Sequence, residues 1–206
     1  MNVQAVILAA GMGTRLGKPW PKPLTPLRDG RTIMQQQLDN LTAVFDDLRV
    51  TTVVGFKLEM ILEQFPDVTY VYNENYDRTN TNRSLLKALR TSPAGGVLWM
   101  NGDVVFDPSV LSRAADLIAA DESFICVNTA AVADEEVKYT VDDDGYVALL
   151  SKTVVGAKGE AVGINYVAGT DKAALIARLA ECDDMDYFER GIELMIEKDA
   201  VRVRPL

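Results

Sequence analysis

Short apolar runs of strand length alternate with helical patterns through residues 3–120 of the chain. The clearest helical pattern repeats at spacings of four, three and four residues through Met34, Leu38, Leu41 and Phe45. Such spacings place side chains on one face of a helix. Strands separated by helices usually pair in parallel, because each helix returns the chain to the starting edge of the sheet. The alternation therefore predicts an α/β fold with helices on both faces of a mostly parallel sheet.

The individual elements can be placed from the same patterns. In the first half we expect strands at residues 3–8, 48–54, 68–72 and 97–100, and helices at 32–45, 58–65, 79–89 and 107–120. Asp107 followed by Pro108 is typical of the start of that last helix. In the second half we expect strands at 124–129, 137–141, 146–150 and 161–167, a hairpin turn at 142–145, and helices at 171–181 and 186–197. No repeat or flexible linker interrupts residues 1–206, which indicates one domain.

The composition restricts the possible chemistry. The chain contains no histidine, which excludes Ser–His or Cys–His catalysis and histidine-ligated metal sites. A formal net charge of −9 argues against a nucleic-acid partner, which normally requires a basic surface. Cys126 and Cys182 have no metal-binding spacing and are expected to be reduced structural thiols. The apolar run at residues 5–10 is too short for a signal peptide or a membrane helix, so we expect a cytoplasmic protein without membrane insertion.

A glycine-rich loop follows the first predicted strand. Its sequence is Leu8-Ala9-Ala10-Gly11-Met12-Gly13-Thr14-Arg15-Leu16-Gly17. Glycine lets the backbone approach a ligand closely, so that successive N–H groups can converge on phosphate oxygens. The loop is not a Walker A motif, which needs four residues between its glycines and then Lys-Ser/Thr, and Leu16 stands where a dinucleotide-binding fingerprint has its third glycine. An ordinary glycine turn is the alternative.

A stiff basic segment lies just beyond this loop. Lys22 stands between Pro21 and Pro23, and further prolines at 19 and 26 prevent a helix from opening here. Arg15 and Lys22 therefore place two positive charges near the glycines. The combination predicts a phosphate-binding site, with solvated basic side chains as the alternative.

Together, the glycine loop and Pro21-Lys22-Pro23-Leu24 resemble the signature of the sugar-phosphate nucleotidyltransferase superfamily. The resemblance implies a Rossmann-like (GT-A-like) sheet with a mixed, partly antiparallel region on the acceptor side. It implies that residues 1–120 mainly bind an NTP and that residues 121–206 mainly bind the acceptor. It also implies that the loop from Leu8 to Arg15 wraps the NTP phosphates. Arg15 and Lys22 would then neutralise the charge that develops as pyrophosphate leaves.

Asp103 follows a predicted buried strand in the segment Met100-Asn101-Gly102-Asp103. Ligands bind at the carboxyl ends of strands in doubly wound sheets, and Mg²⁺ prefers one or two carboxylates together with phosphate oxygens. From position alone, a turn or helix-capping aspartate is an equal alternative. The Gly-Asp pair matches the motif of the superfamily, so the resemblance implies a Mg²⁺ site at Asp103 and a nucleotide contact at Gly102.

Residues 75–85 are unusually polar and precede a predicted helix. Helix capping explains part of this composition, but asparagine amides and serine hydroxyls can also recognise the edge of a base. The asparagines and serine before Leu85 resemble the branch of phosphocholine and phosphonate cytidylyltransferases. That resemblance favours CTP and implies nucleotide contacts by Asn80, Asn82 and Ser84.

Two segments of the second half resemble the same branch. Ser151-Lys152 implies that Lys152 faces the acceptor phosphate, and residues 159–163, Gly-Glu-Ala-Val-Gly, imply that Glu160 and Gly163 line the acceptor pocket. The alternatives are a lysine at the end of a hairpin and ordinary turn glycines. Tyr187, Phe188 and Glu189, at a helix start, are expected to be packing residues.

The resemblance therefore implies a Mg²⁺-dependent nucleotidyltransferase that joins the nucleoside monophosphate of an NTP, with CTP favoured, to a small phosphorylated or phosphonate-bearing acceptor. The alternatives are a sugar-1-phosphate uridylyl-, thymidylyl- or guanylyltransferase, and a nucleotide-sensing subunit without turnover. Family members usually continue beyond the equivalent of residues 201–206 into an acidic segment with a second metal carboxylate. The sequence holds no such segment, so we expect that carboxylate from a longer chain or from another acidic residue. The acceptor and the oligomeric state do not follow from the sequence.

Overall fold

The computed structural model of the chain describes residues 2–13, 19–130 and 135–206. The strands of the first half are β1 (Asn2–Ala9), β2 (Asp47–Val54), β3 (Thr69–Tyr72) and β4 (Val97–Asn101). They pair in parallel in the order β3-β2-β1-β4. The helices of this half are α1 (Ile33–Val44), α2 (Leu58–Gln64), α3 (Thr81–Thr91) and α4 (Ser109–Ala119), and a short 3₁₀ helix covers Lys22–Leu24.

The second half extends the same sheet with strands of mixed direction. Its elements are β5 (Phe124–Asn128), β6 (Lys138–Val141), β7 (Val147–Ser151), β8 (Gly159–Val167), α5 (Lys172–Glu181), α6 (Phe188–Asp199) and β9 (Arg204–Pro205). β8 lies antiparallel between β4 and β5, β6 pairs antiparallel with both β7 and β8, and β9 pairs in parallel with β5. Of the nine strands in the described residues, all except β7 and β8 point the same way. The prediction of an α/β fold with a mostly parallel sheet and a mixed region is confirmed.

Helices cover both faces of the sheet, which explains why β1 is continuously apolar from Ala5 to Ala9. Ala5 and Ile7 point into a core shared with α1, α2 and α4. Val6 and Leu8 point into a second core shared with α3, α5 and α6. Successive side chains of a strand alternate between faces, so a strand buried on both sides has no polar positions. Few polar side chains are buried inside the strands, among them Thr52 of β2 and Asn165 of β8.

The predicted elements are all present, and their observed bounds differ from the expected ones by at most two residues. The carboxylate of Asp107 accepts a hydrogen bond from the Ser109 N–H at 2.9 Å, as expected at the start of α4. α6 begins at Phe188 and not at residue 186, because the Asp186 carboxylate accepts from the Asp183 N–H and closes a turn there. None of the described helices is long and apolar enough to cross a bilayer.

Candidate active site

The carboxyl ends of β1 and β4 pack against Pro23 of the 3₁₀ helix. There is no space at this contact for a residue larger than Gly102. The Gly102 N–H, just beyond β4, donates to the carbonyl oxygen of Leu8 at 2.9 Å. A Cβ on Gly102 would lie 2.8 Å from that oxygen and 2.8 Å from Cγ of Pro23. Contacts this short are not found in proteins, so a glycine is required here. The 3₁₀ helix is thereby packed against the ends of both strands.

This packing brings two predicted site residues together. Lys22 Nζ lies 2.9 Å from Oδ2 of Asp103. The two side chains are 29 % and 43 % exposed, so the ion pair is at the surface and accessible to a ligand. A lysine and an aspartate that lie 81 residues apart in the sequence therefore share one position at the edge of the sheet.

The described part of the glycine loop lies beside this pair. Gly13 has φ +59°, a left-handed conformation, and a Cβ there would lie 2.8 Å from Cγ of Lys22. Gly11 is exposed, and a Cβ there would meet no atom within 4 Å, so its backbone is open to solvent. Leu8, Ala9 and Ala10 are buried, which leaves only their backbone to contact a ligand. Met12 is exposed, whereas Thr14 and Arg15 lie outside the described residues.

The residues at this edge fit a divalent cation. Within residues 2–13, 19–130 and 135–206, no group of three or more His, Cys, Asp or Glu side chains is arranged around a common point. A metal ion bound at the half-exposed Asp103 carboxylate would therefore have fewer than three described side chains of these types as ligands. That is the donor set Mg²⁺ uses when phosphate oxygens and water supply the remaining ligands.

The polar start of α3 is held mainly by other parts of the protein. The Asn80 carboxamide oxygen accepts from the Thr81 N–H at 2.8 Å, and its Nδ2 donates to the Met185 carbonyl at 3.2 Å. Asn82 is fully buried, and its Nδ2 donates to the Asp183 carbonyl at 2.6 Å. The Ser84 hydroxyl accepts from Nδ2 of Asn73 at 3.1 Å. These contacts fix α3 against the turn before α6, and the nucleotide contacts of Asn80, Asn82 and Ser84 stay a prediction.

The predicted acceptor residues lie at the same edge, around the start of β8. Gly163 has φ +77°, and a Cβ there would lie 2.5 Å from Nδ2 of Asn101 at the end of β4. Oε1 of Glu160 accepts from Nδ2 of Asn128 at 3.2 Å. Gly163 thus adjoins the central strands, whereas Glu160 lies further out, opposite Lys138 of β6.

Lys152 follows β7 and meets the start of α6. Its Nζ lies 4.4 Å from the centroid of the Tyr187 ring, a cation–π contact at the protein surface. Two residues after Tyr187, Glu189 is buried in the first turn of α6. Burial raises the pKa of its carboxyl to about 7, against the opposing influence of Lys152. A carboxyl group that titrates near neutrality is a frequent property of functional sites.

Residues 5–185 match the MobA-like NTP transferase domain. The chain belongs to this family. The resemblance to nucleotidyltransferases that the glycine loop and the Gly-Asp pair predicted is confirmed. Members of the family generally use a divalent metal ion for nucleotidyl transfer.

Two curated relatives of this MobA-like domain indicate the range of the family. The CMP-5'-(3-aminopropyl)phosphonate synthase of Streptomyces rubellomurinus is 41 % identical over 122 residues, which are 55 % of this chain and 19 % of that protein. The bifunctional protein GlmU of Methanococcus maripaludis is 30 % identical over 114 residues, 52 % of this chain and 26 % of that protein. The MobA-like domain thus spans between a fifth and about a quarter of the length of these relatives.

Two solved structures share the fold over the whole chain. The inositol-1-phosphate CTP transferase from T. maritima has a TM-score of 0.77 at 14 % identity, covering 100 % of this chain and 85 % of that one. The CTP:phosphocholine cytidylyltransferase from Streptococcus pneumoniae has a TM-score of 0.69 at 18 % identity, covering 100 % and 90 %. At such identities the likeness establishes the fold of the MobA-like domain and not its substrates.

The structure brings some of the predicted site residues together and shows one unusual buried carboxyl group, that of Glu189. Lys22 and Asp103 are in contact, and Gly13 and Gly102 pack around them. The roles assigned to all predicted site residues stay predictions. Glu189 was expected to be a packing residue. A signal was present, because Glu189 precedes Ile192 by three positions and Ile196 by seven and so lies on the apolar stripe of α6.

Proposed function

We propose that this MobA-like domain transfers CMP from CTP to a small phosphate monoester or phosphonate and releases pyrophosphate. The observation that carries the proposal is the Lys22–Asp103 pair at the carboxyl edge of the sheet, beside the open backbone of Gly11. A cation, a metal-binding carboxylate and a glycine loop together complement the phosphates of a nucleotide. The edge where they lie is the usual ligand-binding edge of a doubly wound sheet.

The choice of CTP is supported by the relatives. The Streptomyces relative is named as the synthase of a CMP-linked phosphonate. Both solved structures named above are described as acting with CTP. The GlmU relative keeps a second candidate open, a sugar-1-phosphate nucleotidyltransferase. The two candidates would share the phosphate-binding residues and differ in the base and the acceptor.

The proposed reaction is an in-line displacement at the α-phosphorus of CTP. An acceptor oxygen forms a new bond to this phosphorus, while the bond to the oxygen bridging the α- and β-phosphorus breaks and pyrophosphate leaves with the electron pair. A phosphate or phosphonate oxygen is already ionised near neutral pH, so no general base is needed, in agreement with the absence of histidine. When bound at Asp103, Mg²⁺ would supply positive charge to the triphosphate.

The side chains of the domain would then position two anions that repel each other. Lys22, together with Arg15, would neutralise the charge that develops on the departing pyrophosphate. Lys152 would bind the anionic group of the acceptor. The glycine loop would hold the phosphates through its N–H groups. Holding both reactants in line accounts for most of the acceleration expected of such a site.

An assay of pyrophosphate release tests the proposal. The nucleotides are CTP, UTP, dTTP, GTP and ATP, and the acceptors are phosphocholine, aminoalkyl phosphonates and sugar 1-phosphates. We expect the fastest release with CTP and a phosphonate or phosphocholine. Asp103→Asn should lower kcat/KM by roughly 100-fold or more, because it removes a metal-binding charge. Asp116→Asn makes the same chemical change at an exposed position of α4 and should leave the rate unchanged.

If no pyrophosphate is released, thermal unfolding with each NTP and Mg²⁺ shows whether the nucleotide binds, because a ligand that binds only the folded protein raises its stability. A preference for UTP or dTTP with a sugar 1-phosphate would contradict the choice of CTP and favour the second candidate. Absence of pyrophosphate release with every pair, despite nucleotide-dependent stabilisation, would contradict nucleotidyl transfer by this chain.

A further inference from the structure

The turn that carries Asp103 is held at both ends by one buried side chain of α1. Nε2 of Gln37 donates to the carbonyl oxygen of Asn101 at 2.9 Å and to that of Val104 at 2.8 Å. The Val104 N–H donates to the same Asn101 carbonyl at 3.3 Å, so Gly102 and Asp103 are the two central residues of a tight turn. Gln37 therefore connects the residue before this pair with the residue after it.

The amide of Gln37 contributes to this contact only as a donor. Gln37 is fully buried, and its Oε1 has no hydrogen-bond partner among the described residues. Rotating the amide by 180° would place Oε1 against two carbonyl oxygens, so these partners determine its orientation. A buried acceptor without a partner is unfavourable, and a methionine of similar size would avoid it. The two donated hydrogen bonds are thus what the amide adds at this position.

α1 also anchors the segment that carries Lys22. The N–H of Ile33, the first residue of α1, donates to the Thr25 carbonyl at 3.1 Å. The Thr25 N–H donates in turn to the Lys22 carbonyl at 3.0 Å. The two side chains of the Lys22–Asp103 pair therefore come from segments that are both attached to one helix, and Gln37 makes the attachment on the Asp103 side.

We propose that Gln37 is a positioning residue for the metal ion of the proposed reaction, which keeps the Asp103 carboxylate in one place by holding both ends of its turn. The inference rests on the proposed function, because it adds a residue to that same site. Gln37 is fully buried and acts only through the turn. Groups that orient a metal-binding carboxylate typically contribute 10- to 100-fold to metal affinity or activity.

Asn40 provides a matched comparison on the same helix. Asn40 is also buried, and its Nδ2 donates to the carbonyl oxygen of Phe106 at 2.8 Å. Both amides bind the segment after β4, but Gln37 holds the turn itself, whereas Asn40 holds the chain three residues beyond Asp103. A general loosening of this segment would follow from the loss of either amide. A specific effect on the metal ion should follow only from the loss of Gln37.

Nucleotide binding tests the inference without turnover. The ligand is the NTP that stabilises the protein most, which we expect to be CTP. Calorimetry with Mg²⁺, and with EDTA in its place, gives the gain in affinity that the metal ion provides. Gln37→Met should lose most of this gain and keep the wild-type affinity without metal. It should also raise the Mg²⁺ concentration for half-maximal turnover by about 10- to 100-fold. Asn40→Leu should keep the wild-type gain and the wild-type Mg²⁺ requirement.

Three results would overturn the inference while the proposed function stands. They are an equal affinity of the wild type for the NTP with and without Mg²⁺, a wild-type gain in a folded Gln37→Met variant, and an equal loss of the gain in Asn40→Leu. If urea unfolding shows that Gln37→Met does not fold, Gln37→Asn replaces it, since its amide is too short to reach both carbonyls. Failure of both variants to fold would mean that Gln37 maintains the fold and not the site, which would also overturn the inference.

If the wild type binds no NTP, the proposed function fails and the binding of Mn²⁺ alone decides the inference. Electron paramagnetic resonance of free Mn²⁺ measures this binding. An affinity about 10- to 100-fold weaker in Gln37→Met than in the wild type and in Asn40→Leu would support the positioning role. Equal binding in all three proteins, or no binding by the wild type, would overturn it.

Discussion

Lys22 has two partners in the proposed reaction, the Asp103 carboxylate and the phosphates of the nucleotide. Its ammonium group lies 2.9 Å from Oδ2 of Asp103, the oxygen that would bind the metal ion. A cation that binds this oxygen would therefore compete with Lys22. Nucleotide phosphates would draw Lys22 away and leave the carboxylate to the metal ion. The pair would thus couple metal binding to nucleotide binding.

Replacing Lys22 with methionine tests this coupling. Lys22→Met should raise the affinity for Mn²⁺ in the absence of nucleotide by about two- to fivefold, since an exposed ion pair contributes no more than about 1 kcal/mol. Electron paramagnetic resonance of free Mn²⁺ measures this affinity. Lys87→Met removes a lysine of similar exposure, which pairs with Glu74 elsewhere, and should have no effect. Unchanged Mn²⁺ affinity in Lys22→Met would show that the pair does not restrict the metal site.

The buried Glu189 also predicts how stability depends on pH. Burial raises its pKa from 4.5 to about 7, so the folded protein keeps a proton that the unfolded chain loses. The carboxyl therefore has no destabilising effect below pH 4.5, destabilises increasingly as pH rises, and reaches its full effect, at most about 3 kcal/mol, above pH 7.

Glu189→Gln removes this titration. Relative to the wild type, the variant should gain about 2 kcal/mol in the free energy of unfolding between pH 4.5 and pH 8. Urea unfolding of both proteins at pH 4.5, 6 and 8 measures the difference in the free energy of unfolding. The contributions of the other carboxylates are the same in both proteins and cancel in this difference. A difference between the two proteins that stays constant over this range would mean that Glu189 titrates normally.

The site depends on how closely the 3₁₀ helix packs against the ends of β1 and β4. Gly102→Ala would place a methyl group 2.8 Å from the Leu8 carbonyl and from Pro23, which pushes the segment carrying Lys22 outwards. We expect a loss of about 1–3 kcal/mol in stability and a lower kcat/KM. Gly11→Ala, which meets no atom within 4 Å, is the matched control and should retain wild-type stability. Denaturant unfolding compares the two, and equal stability would contradict this close packing.

A second contact between elements explains the polar start of α3. The Arg83 guanidinium donates to the Cys182 carbonyl at 2.7 Å and pairs with Asp184 at 2.8 Å. With Asn80 and Asn82, it connects α3 to the turn between α5 and α6, about 100 residues later in the chain. The concentration of asparagines indicated hydrogen bonding correctly, but the sequence contains no information on whether a base or a distant carbonyl is the partner.

At the scale of the whole molecule, the sequence predicts the individual strands and helices better than the order in which the strands pair. The apolar runs and helical spacings identify the strands and helices, because burial on one or both faces determines residue type. They do not reveal that β8 passes between β4 and β5, since this order depends on long-range pairing. The position of Asp103 just beyond the end of β4 could be predicted, because the apolar run and the carboxylate after it are both visible in the sequence. The burial of Glu189 could be expected from its position on the apolar stripe of α6, but the missing partner of one carboxyl oxygen could not.

The directions of the first and last strands determine where other molecules can be joined to the domain. β9 runs parallel to β5, and the Leu206 N–H donates to the Ile125 carbonyl at 2.9 Å, so a tether attached after Leu206 emerges at the edge that carries Asp103. β1 runs towards that edge, so a tether attached before Asn2 emerges about 25 Å away, at the opposite edge. A label placed before β1 therefore lies far from Asp103, whereas a label placed after β9 lies at the same edge of the sheet as Asp103.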